Sequence, residues 1–349
     1  MKRLGGIWEE VTSMDNLRRA YNNAAKGKRS RSIVIQIGNN LDYYLEKIRQ
    51  SLLDGTYKTS PYRTRVIYEP KRRVIYILPF YPDRIVHHAI MDVIVPYLVK
   101  RIDTGVNSSI KGVGQVTGSQ LCMKYTRRYK YVLKCDISKF YPSIQHDIMM
   151  KQLERKIKDK RVLRVLDEIV RSSDTVPGET KGKNLPIGSY ISQGLCNTYL
   201  GPLDTFVRHE LKCNAYVRYC DDFVLFSNDK KQLHAWGVAM GEFLWRELKL
   251  TYSKCNIFPV THGVDYLGYR HFSEYVLVRK RTAVRIKRRM FSIANNLRHR
   301  VINAQRYKGQ IDSAFGWLKH ANSWHLQKQL KLDVLKKAVE QHEKYQEVQ

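Results

Sequence analysis

Two adjacent carboxylates, Asp221 and Asp222, stand between the apolar runs Tyr216-Val217-Arg218-Tyr219 and Phe223-Val224-Leu225-Phe226. β-Branched and aromatic residues dominate both runs, which predicts a tight hairpin with the acids at or beside its turn. Neighbouring acids repel and need solvation, so folding alone gives little reason to place them between two strands. A divalent cation supplies that reason, because Mg²⁺ is usually held by one or two carboxylates together with substrate phosphates. For an isolated Asp-Asp the ordinary reading is a solvated polar turn; a third acid changes the balance. Asp136 ends the run Tyr131-Val132-Leu133-Lys134-Cys135, after which the chain is expected to turn at Pro142 towards a helix beginning near His146. A strand-end acid able to pair beside the Asp221 hairpin would make a two-metal site for in-line phosphoryl transfer.

The composition points to a polyanionic partner. With 62 Lys plus Arg against 32 Asp plus Glu the formal charge is +30, far above what solubility needs, and such a chain binds polyphosphate by releasing counterions. Its 349 residues suffice for two or three subdomains. The six cysteines, Cys122, Cys135, Cys196, Cys213, Cys220 and Cys255, include no C-x-x-C pair. That supports neither a zinc site nor a disulfide framework and fits a reducing cytoplasm. No apolar segment of signal-peptide or membrane-spanning length occurs, so the expectation is a cytoplasmic protein with no membrane partner.

The elements that must position the acids can be read in chain order. Residues 8–58 read as polar and helical, with Tyr21, Leu41, Tyr44, Leu45, Ile48 and Leu52 at helical spacing. The run Lys26-Gly27-Lys28-Arg29-Ser30-Arg31 interrupts them as a solvated loop or an RNA contact. Residues 62–78 predict a hairpin whose basic tip, Lys71-Arg72-Arg73, is either edge protection or a phosphate contact. An amphipathic helix follows from Pro82 to about Leu98; its His87 and His88 splay apart and read as satisfied core or interface histidines. Lys111 to Gly118 spaces its glycines wrongly for a dinucleotide fingerprint and has no leading strand. Two helices are expected over 146–172, a loop over 172–184, then a helix to about Lys212 kinked at Pro202. An amphipathic helix over 230–249 and a strand over 250–259 come next. From Tyr275 to Ile311 there is no acid, while Arg279, Lys280, Arg281, Arg285, Lys287, Arg288, Arg289 and Arg298 fall within the span. A solvated helix alternates charge signs; this one reads as a surface that tracks phosphates, backed by an apolar face from Phe315 to Leu335.

Asp136-Ile137-Ser138-Lys139-Phe140-Tyr141-Pro142-Ser143-Ile144 followed by Tyr219-Cys220-Asp221-Asp222 resembles the palm motifs of reverse transcriptases. Retroviral-type enzymes carry Gln before the glycine of the next motif and Ser-Pro after it. Here Ile187-Gly188-Ser189-Tyr190-Ile191-Ser192-Gln193 resembles instead the form typical of diversity-generating retroelements, and the likeness covers roughly residues 10 to 325. The resemblance implies an α+β right-hand polymerase fold, with an N-terminal extension and fingers over 1–105, a palm with finger insertions over 106–272, and a helical basic thumb over 273–349. It implies an RNA-directed DNA polymerase, bacterial or phage-encoded, that copies a template-repeat RNA into cDNA with errors at template adenines for mutagenic retrohoming. Retron, abortive-infection and group II intron-type enzymes share the palm. A non-catalytic RNA-binding protein that keeps the fold is the opposing class.

The same resemblance assigns residues. Asp136, Asp221 and Asp222 are the catalytic acids, and with Ile137 they form the metal set for two Mg²⁺ ions, Mn²⁺ serving in vitro. Lys71 and Arg73 fold over the incoming triphosphate. Tyr141 lies beneath the sugar, where a ring would exclude a 2′-hydroxyl, although an aromatic one turn from a strand end is ordinarily core. Ile187, Gly188 and Gln193 line the nucleotide pocket, and an apolar Ile187 in place of an amide implies looser checking of the nascent base pair. Lys254 protonates the pyrophosphate leaving group, or is an ordinary strand-edge lysine. Leu267, Gly268 and Tyr269 form the primer grip, Gly268 letting the backbone come close. The implied partners are an RNA template, an RNA/DNA primer–template duplex, dNTPs and a small, basic, oligomeric accessory variability protein. The segment near Glu340, Glu343 and Glu347 is one candidate dock for that protein.

Overall fold

The computed structural model describes residues 3–68, 72–176, 178–299 and 304–347, with side chains given for all of these except 304 and 342–347. Lys71 and the Glu343 and Glu347 side chains therefore lie outside the described residues. Helices α1 (Trp8–Thr12), α2 (Met14–Ala25), α3 (Ser32–Asn39) and α4 (Leu41–Leu53) account for the N-terminal stretch. Ser13 starts α2 by accepting the Asn16 N–H at 3.2 Å, and Leu17, Ala20, Tyr21 and Ala24 form its buried stripe. The basic run 26–31 is the turn between α2 and α3. Strand β1 (Arg63–Ile67) pairs antiparallel with β2 (Arg73–Ile77), giving the expected fingers hairpin.

Helix α5 (Ile85–Val99) departs from the amphipathic expectation. Ile85, Val86, His87, Ala89, Ile90, Met91, Val93 and Ile94 are all buried, because α1 and α2 pack on one side and the later helix 190–209 on the other. His88 stacks on the Tyr190 ring at 4.0 Å. His87 Nδ1 meets Ser189 Oγ at 2.9 Å, while its Nε2 is enclosed with no partner among the described residues. So only half of this histidine is satisfied. Burial, reinforced by the charges of His88 and Arg84, pushes its pKa down to about 3. The unfolded chain then binds a proton that the folded chain refuses, so stability falls as pH drops below the ordinary histidine value of 6.5. At pH 4.5 the loss should be roughly 2–3 kcal/mol relative to pH 7. Urea titrations of wild type and His87→Gln at both pH values test this: the variant should show a shallower pH dependence, and equal slopes would contradict it.

The palm follows with α6 (Gln115–Arg128), β3 (Tyr131–Ile137), α7 (Phe140–Ser143), α8 (His146–Glu154), α9 (Lys160–Arg171), α10 (Tyr190–His209), β4 (Tyr216–Tyr219), β5 (Asp222–Ser227), α11 (Lys230–Leu248) and β6 (Tyr252–Pro259). The turn after Asp136 is made at Lys139, which is left-handed at φ 42°, rather than at Pro142; the proline lies inside α7. Helix α10 runs through Pro202 without interruption and ends at His209, short of Lys212. The four strands form one antiparallel sheet in the order β4-β5-β3-β6. Alternation sorts their side chains. Leu133, Cys135, Phe223 and Leu225 face the core shared with α10 and α11, whereas Val132, Val217, Val224 and Phe226 face a second cluster that includes Cys122 of α6.

After the four-stranded sheet, β7 (Val264–Tyr266), β8 (Tyr269–His271) and β9 (Val276–Val278) make a small antiparallel sheet whose third strand was not anticipated from the sequence. Then α12 (Lys280–Arg298), α13 (Ala304–Leu318), α14 (Trp324–Leu330) and α15 (Leu332–Glu347) bury Ile286, Met290, Ile293, Ile311, Leu318 and Leu330 in a separate apolar cluster. This is the expected helical bundle.

Candidate active site

Strand register places one row of functional groups across the palm sheet. Asp222 of β5 is the partner of Asp136 of β3, and Asp136 is the partner of Lys254 of β6. Directly opposed residues share a face, so two expected acids and the expected lysine project together. A register shift after Asp136 ends the regular pairing of β3 there. The hairpin between β4 and β5 leaves only Cys220 and Asp221 unpaired, between Tyr219 and its partner Asp222. Asp221 thus stands at the turn, next to the row rather than in it.

The carboxylates are under-compensated. Burial, with repulsion from Asp136 and Asp221 added, pushes the Asp222 carboxyl up to about 6 against the pull of Lys134. Burial and the Asp136 charge also raise Asp221, opposed by Arg73 and Arg218. Asp222 Oδ1 is buried and has no hydrogen-bond partner among the described residues; Oδ2 is 3.6 Å from Lys134 Nζ. Asp136 Oδ2 accepts from Ser253 Oγ at 2.6 Å. Among the described residues no three His, Cys, Asp or Glu side chains are arranged as a ready-made metal cage, so the expected metal set is not pre-assembled from protein side chains alone. An orphaned, partly desolvated carboxylate oxygen beside a second carboxylate nevertheless fits a hard divalent cation that keeps open positions for substrate oxygens. Ile137 has a buried aliphatic side chain, so only its backbone carbonyl has the chemistry of a ligand.

The surrounding candidates divide. Arg73 is exposed at the start of β2, close enough for its charge to act on Asp221; Lys71 falls outside the described residues. Tyr141 is half-buried, its phenol held protonated by burial and by the Cys196 and Cys220 thiols beside it. Ile187 accepts the Tyr76 N–H at 2.8 Å through its carbonyl, tying the pocket motif to β2 of the fingers. Gly188 takes φ +111°, and a Cβ there would come within 2.8 Å of the Tyr76 carbonyl oxygen, so the close approach of the fingers strand requires glycine. Gln193 is exposed on the first turn of α10, and its amide makes no hydrogen bond among the described residues.

At Gly268, φ +83°, a Cβ would lie 2.6 Å from the Trp317 ring, so within the protein the close approach this glycine allows is that of Trp317. Tyr269 is buried, with its ring 5.4 Å from Trp317 and its hydroxyl donating to the Trp317 carbonyl at 3.1 Å. Leu267 is left-handed at φ 51°, and its carbonyl accepts from Gln115 Nε2 at 2.5 Å. In the basic loop before α6, Gly112 and Gly114 face open space, whereas Gly118 is the point where Leu267 packs on α6. Sequence reasoning also missed Lys134. It shares a face with Asp136 two residues on, and it ties Asp222 to the β7–β8 hairpin by donating to the Asp265 carbonyl at 2.5 Å. Period-two alternation around Asp136 was the available signal.

An antiparallel palm sheet carrying paired acids, an N-terminal fingers hairpin and a helical bundle behind a small hairpin define a right-hand α+β polymerase fold. Residues 69–271, more than half of the chain, match the family described as reverse transcriptase (RNA-dependent DNA polymerase). The chain belongs to that family and is, by class, an RNA-directed DNA polymerase; enzymes of this family generally use divalent metal ions and bind RNA templates and primers. Protein YkfC of Escherichia coli is 26% identical over 286 residues, covering 68% of this chain and 72% of that protein. A putative COX1/OXI3 intron 1 protein of Saccharomyces cerevisiae is 26% identical over 168 residues, 47% of this chain and 20% of its own length. Among solved structures, telomerase from Candida albicans in complex with a TWJ fragment of telomeric RNA superposes with a TM-score of 0.50 at 13% identity. That match covers 80% of this chain and 54% of the telomerase chain, so this chain spans about half of that neighbour and a fifth of the intron protein.

Proposed function

We propose that this chain is the reverse transcriptase of a diversity-generating retroelement, copying a template-repeat RNA into cDNA with errors concentrated at template adenines for mutagenic retrohoming. The observation that carries the chemistry is the cross-strand row Asp222–Asp136–Lys254 with Asp221 at the adjoining turn. In this reading Asp136, Asp221, Asp222 and the Ile137 carbonyl hold two Mg²⁺ ions, with Mn²⁺ a substitute in vitro. Bound divalent ions supply activation of the primer 3′-hydroxyl and neutralisation of charge on the triphosphate. Lys71 and Arg73 grip the triphosphate, Tyr141 rejects a 2′-hydroxyl, and Lys254 delivers a proton to the departing pyrophosphate. Leu267, Gly268 and Tyr269 hold the primer end through the β7–β8 hairpin. Residues 1–105 serve as N-terminal extension and fingers, 106–272 as palm and 273–349 as thumb. The enzyme works in the cytoplasm with a small basic accessory protein, which avoids the cationic thumb.

The subtype rests on Ile187. Its side chain offers no hydrogen bond beside the nascent base pair, so discrimination depends on shape and stacking. Ile187→Gln should lower adenine-directed misincorporation about tenfold, which is only ~1.4 kcal/mol of differential transition-state binding. Sequencing cDNA made by both forms on one template tests this, and identical error spectra would remove Ile187 from the account. A group II intron-type enzyme is the second reading, favoured by the likeness to the yeast intron protein. A wild-type error spectrum without adenine bias, or a gene embedded in intron RNA without a repeat pair differing at adenines, would favour it.

A further inference from the structure

The hairpin that carries Asp221 and Asp222 rests on a charge buried beneath the opposite face of the sheet. Arg218 of β4 is fully enclosed and is the largest such side chain among the described residues. With Tyr216 it points towards α10, away from the face that bears Asp222 and Asp136. Its guanidinium forks Asp204 of α10, Nε donating to Oδ1 at 2.7 Å and Nη2 to Oδ2 at 2.6 Å. The remaining nitrogen, Nη1, donates to Asn197 Oδ1 at 3.1 Å and to the Cys220 carbonyl at 3.0 Å. Cys220 is left-handed, at φ +53°, a conformation that favours glycine. Its N–H donates to Ser108 Oγ at 2.9 Å, and Asn197 Nδ2 donates to the Ser108 carbonyl at 2.7 Å. The carbonyl of this turn residue is therefore held by Arg218, two residues earlier, and its N–H by Ser108, distant in sequence, and α10 anchors both partners.

Stability does not explain the arrangement. A buried ion pair can often be replaced by apolar side chains of similar volume at no cost, because desolvation consumes the Coulombic gain. An apolar pair could fill the space under β4, but it could not hold the Cys220 carbonyl. We infer that Arg218, clamped by Asp204 and coupled to Ser108 through Asn197, is a positioning residue for nucleotidyl transfer: it fixes the left-handed Cys220 turn and thereby the placement of Asp221 relative to Asp222. The inference rests on the polymerase reading for its activity arm. Released from the clamp, Cys220 relaxes out of the left-handed region, the twist of the two-residue turn changes, and the acids no longer share a divalent cation. Misplacement of reacting groups by about 1 Å can cost 10²-fold in rate.

The test compares wild type with the full-length double variant Arg218→Met/Asp204→Leu, which removes both charges while keeping volume. Melting in EDTA reports the fold, Mn²⁺ titration followed by electron paramagnetic resonance reports metal uptake, and RNA-primed extension reports kcat, KM for dNTP and duplex affinity. The double variant should fold, melting somewhat below wild type because the buried Tyr216 hydroxyl loses its Asp204 acceptor, and it should bind the duplex as wild type does. It should take up Mn²⁺ about tenfold more weakly and lose roughly 10²-fold in kcat. A folded double variant with wild-type Mn²⁺ affinity and kcat overturns the inference. Should it fail to fold, Ser108→Ala, which removes one hydrogen bond to the turn, should weaken Mn²⁺ uptake and kcat several-fold, and wild-type values there overturn it equally. A wild type that binds Mn²⁺ but incorporates nothing would count against the polymerase reading instead, and the Mn²⁺ titrations alone would then decide the role of Arg218.

Discussion

Asp222→Asn should reduce RNA-templated primer extension by at least ~10³-fold, about 4 kcal/mol of transition-state stabilisation, and in EDTA it should make the protein more stable. The two effects have one origin. An acid whose folded pKa stands at about 6, above its ordinary 3.8, weakens the fold progressively as pH rises through that interval. By pH 7.5 the whole penalty is present. The side chain keeps 30% exposure, so solvent screens part of it, and relief of about 1–2 kcal/mol is expected on substitution. Mg²⁺ should raise the melting temperature of wild type by binding the folded state alone, and should raise that of the variant much less. Melting curves with EDTA and with Mg²⁺, run beside extension assays, check all three statements. A variant that loses both activity and stability would mean that Asp222 is structural.

Affinity for a template–primer duplex should fall steeply with salt. Arg285, Arg288 and Arg289 are exposed on α12, and none has an ion-pair partner among the described residues. A surface that makes 6–10 phosphate contacts loses about 10³–10⁵ in affinity between 50 and 200 mM salt. Replacing these three arginines by Gln should weaken binding at low salt and reduce the slope of log K against log salt by about 2–3, leaving the melting temperature nearly unchanged. Fluorescence anisotropy across a salt series measures the slope. An unaltered slope would place the duplex elsewhere on the protein.

The palm was legible because its signals are local. Strands ending in acids, a hairpin with two residues at its turn and a lysine on the next strand are properties of short segments, and antiparallel register then brings them together. Sequence reasoning failed where burial is decided by distant elements. Helix α5 looks amphipathic until the N-terminal helices and α10 are packed on opposite sides of it. Gly268 marked a close approach, but only the tertiary structure identifies Trp317 as what approaches. Arg218 looked like one more cation in a chain with 62 Lys plus Arg, and nothing local says that Asp204, fourteen residues earlier, encloses it.

The central claim is that the acids at the β3 and β4–β5 strand ends perform divalent-dependent nucleotidyl transfer on an RNA template. Its most direct test is incorporation of dNTPs into a primer annealed to RNA, with Mg²⁺, by wild type and by Asp221→Ala at equal concentration. Wild type should extend the primer, EDTA should stop it, and Asp221→Ala should bind the duplex but extend nothing measurable. Equal incorporation by the two proteins, or none by folded, duplex-bound wild type, would contradict the account.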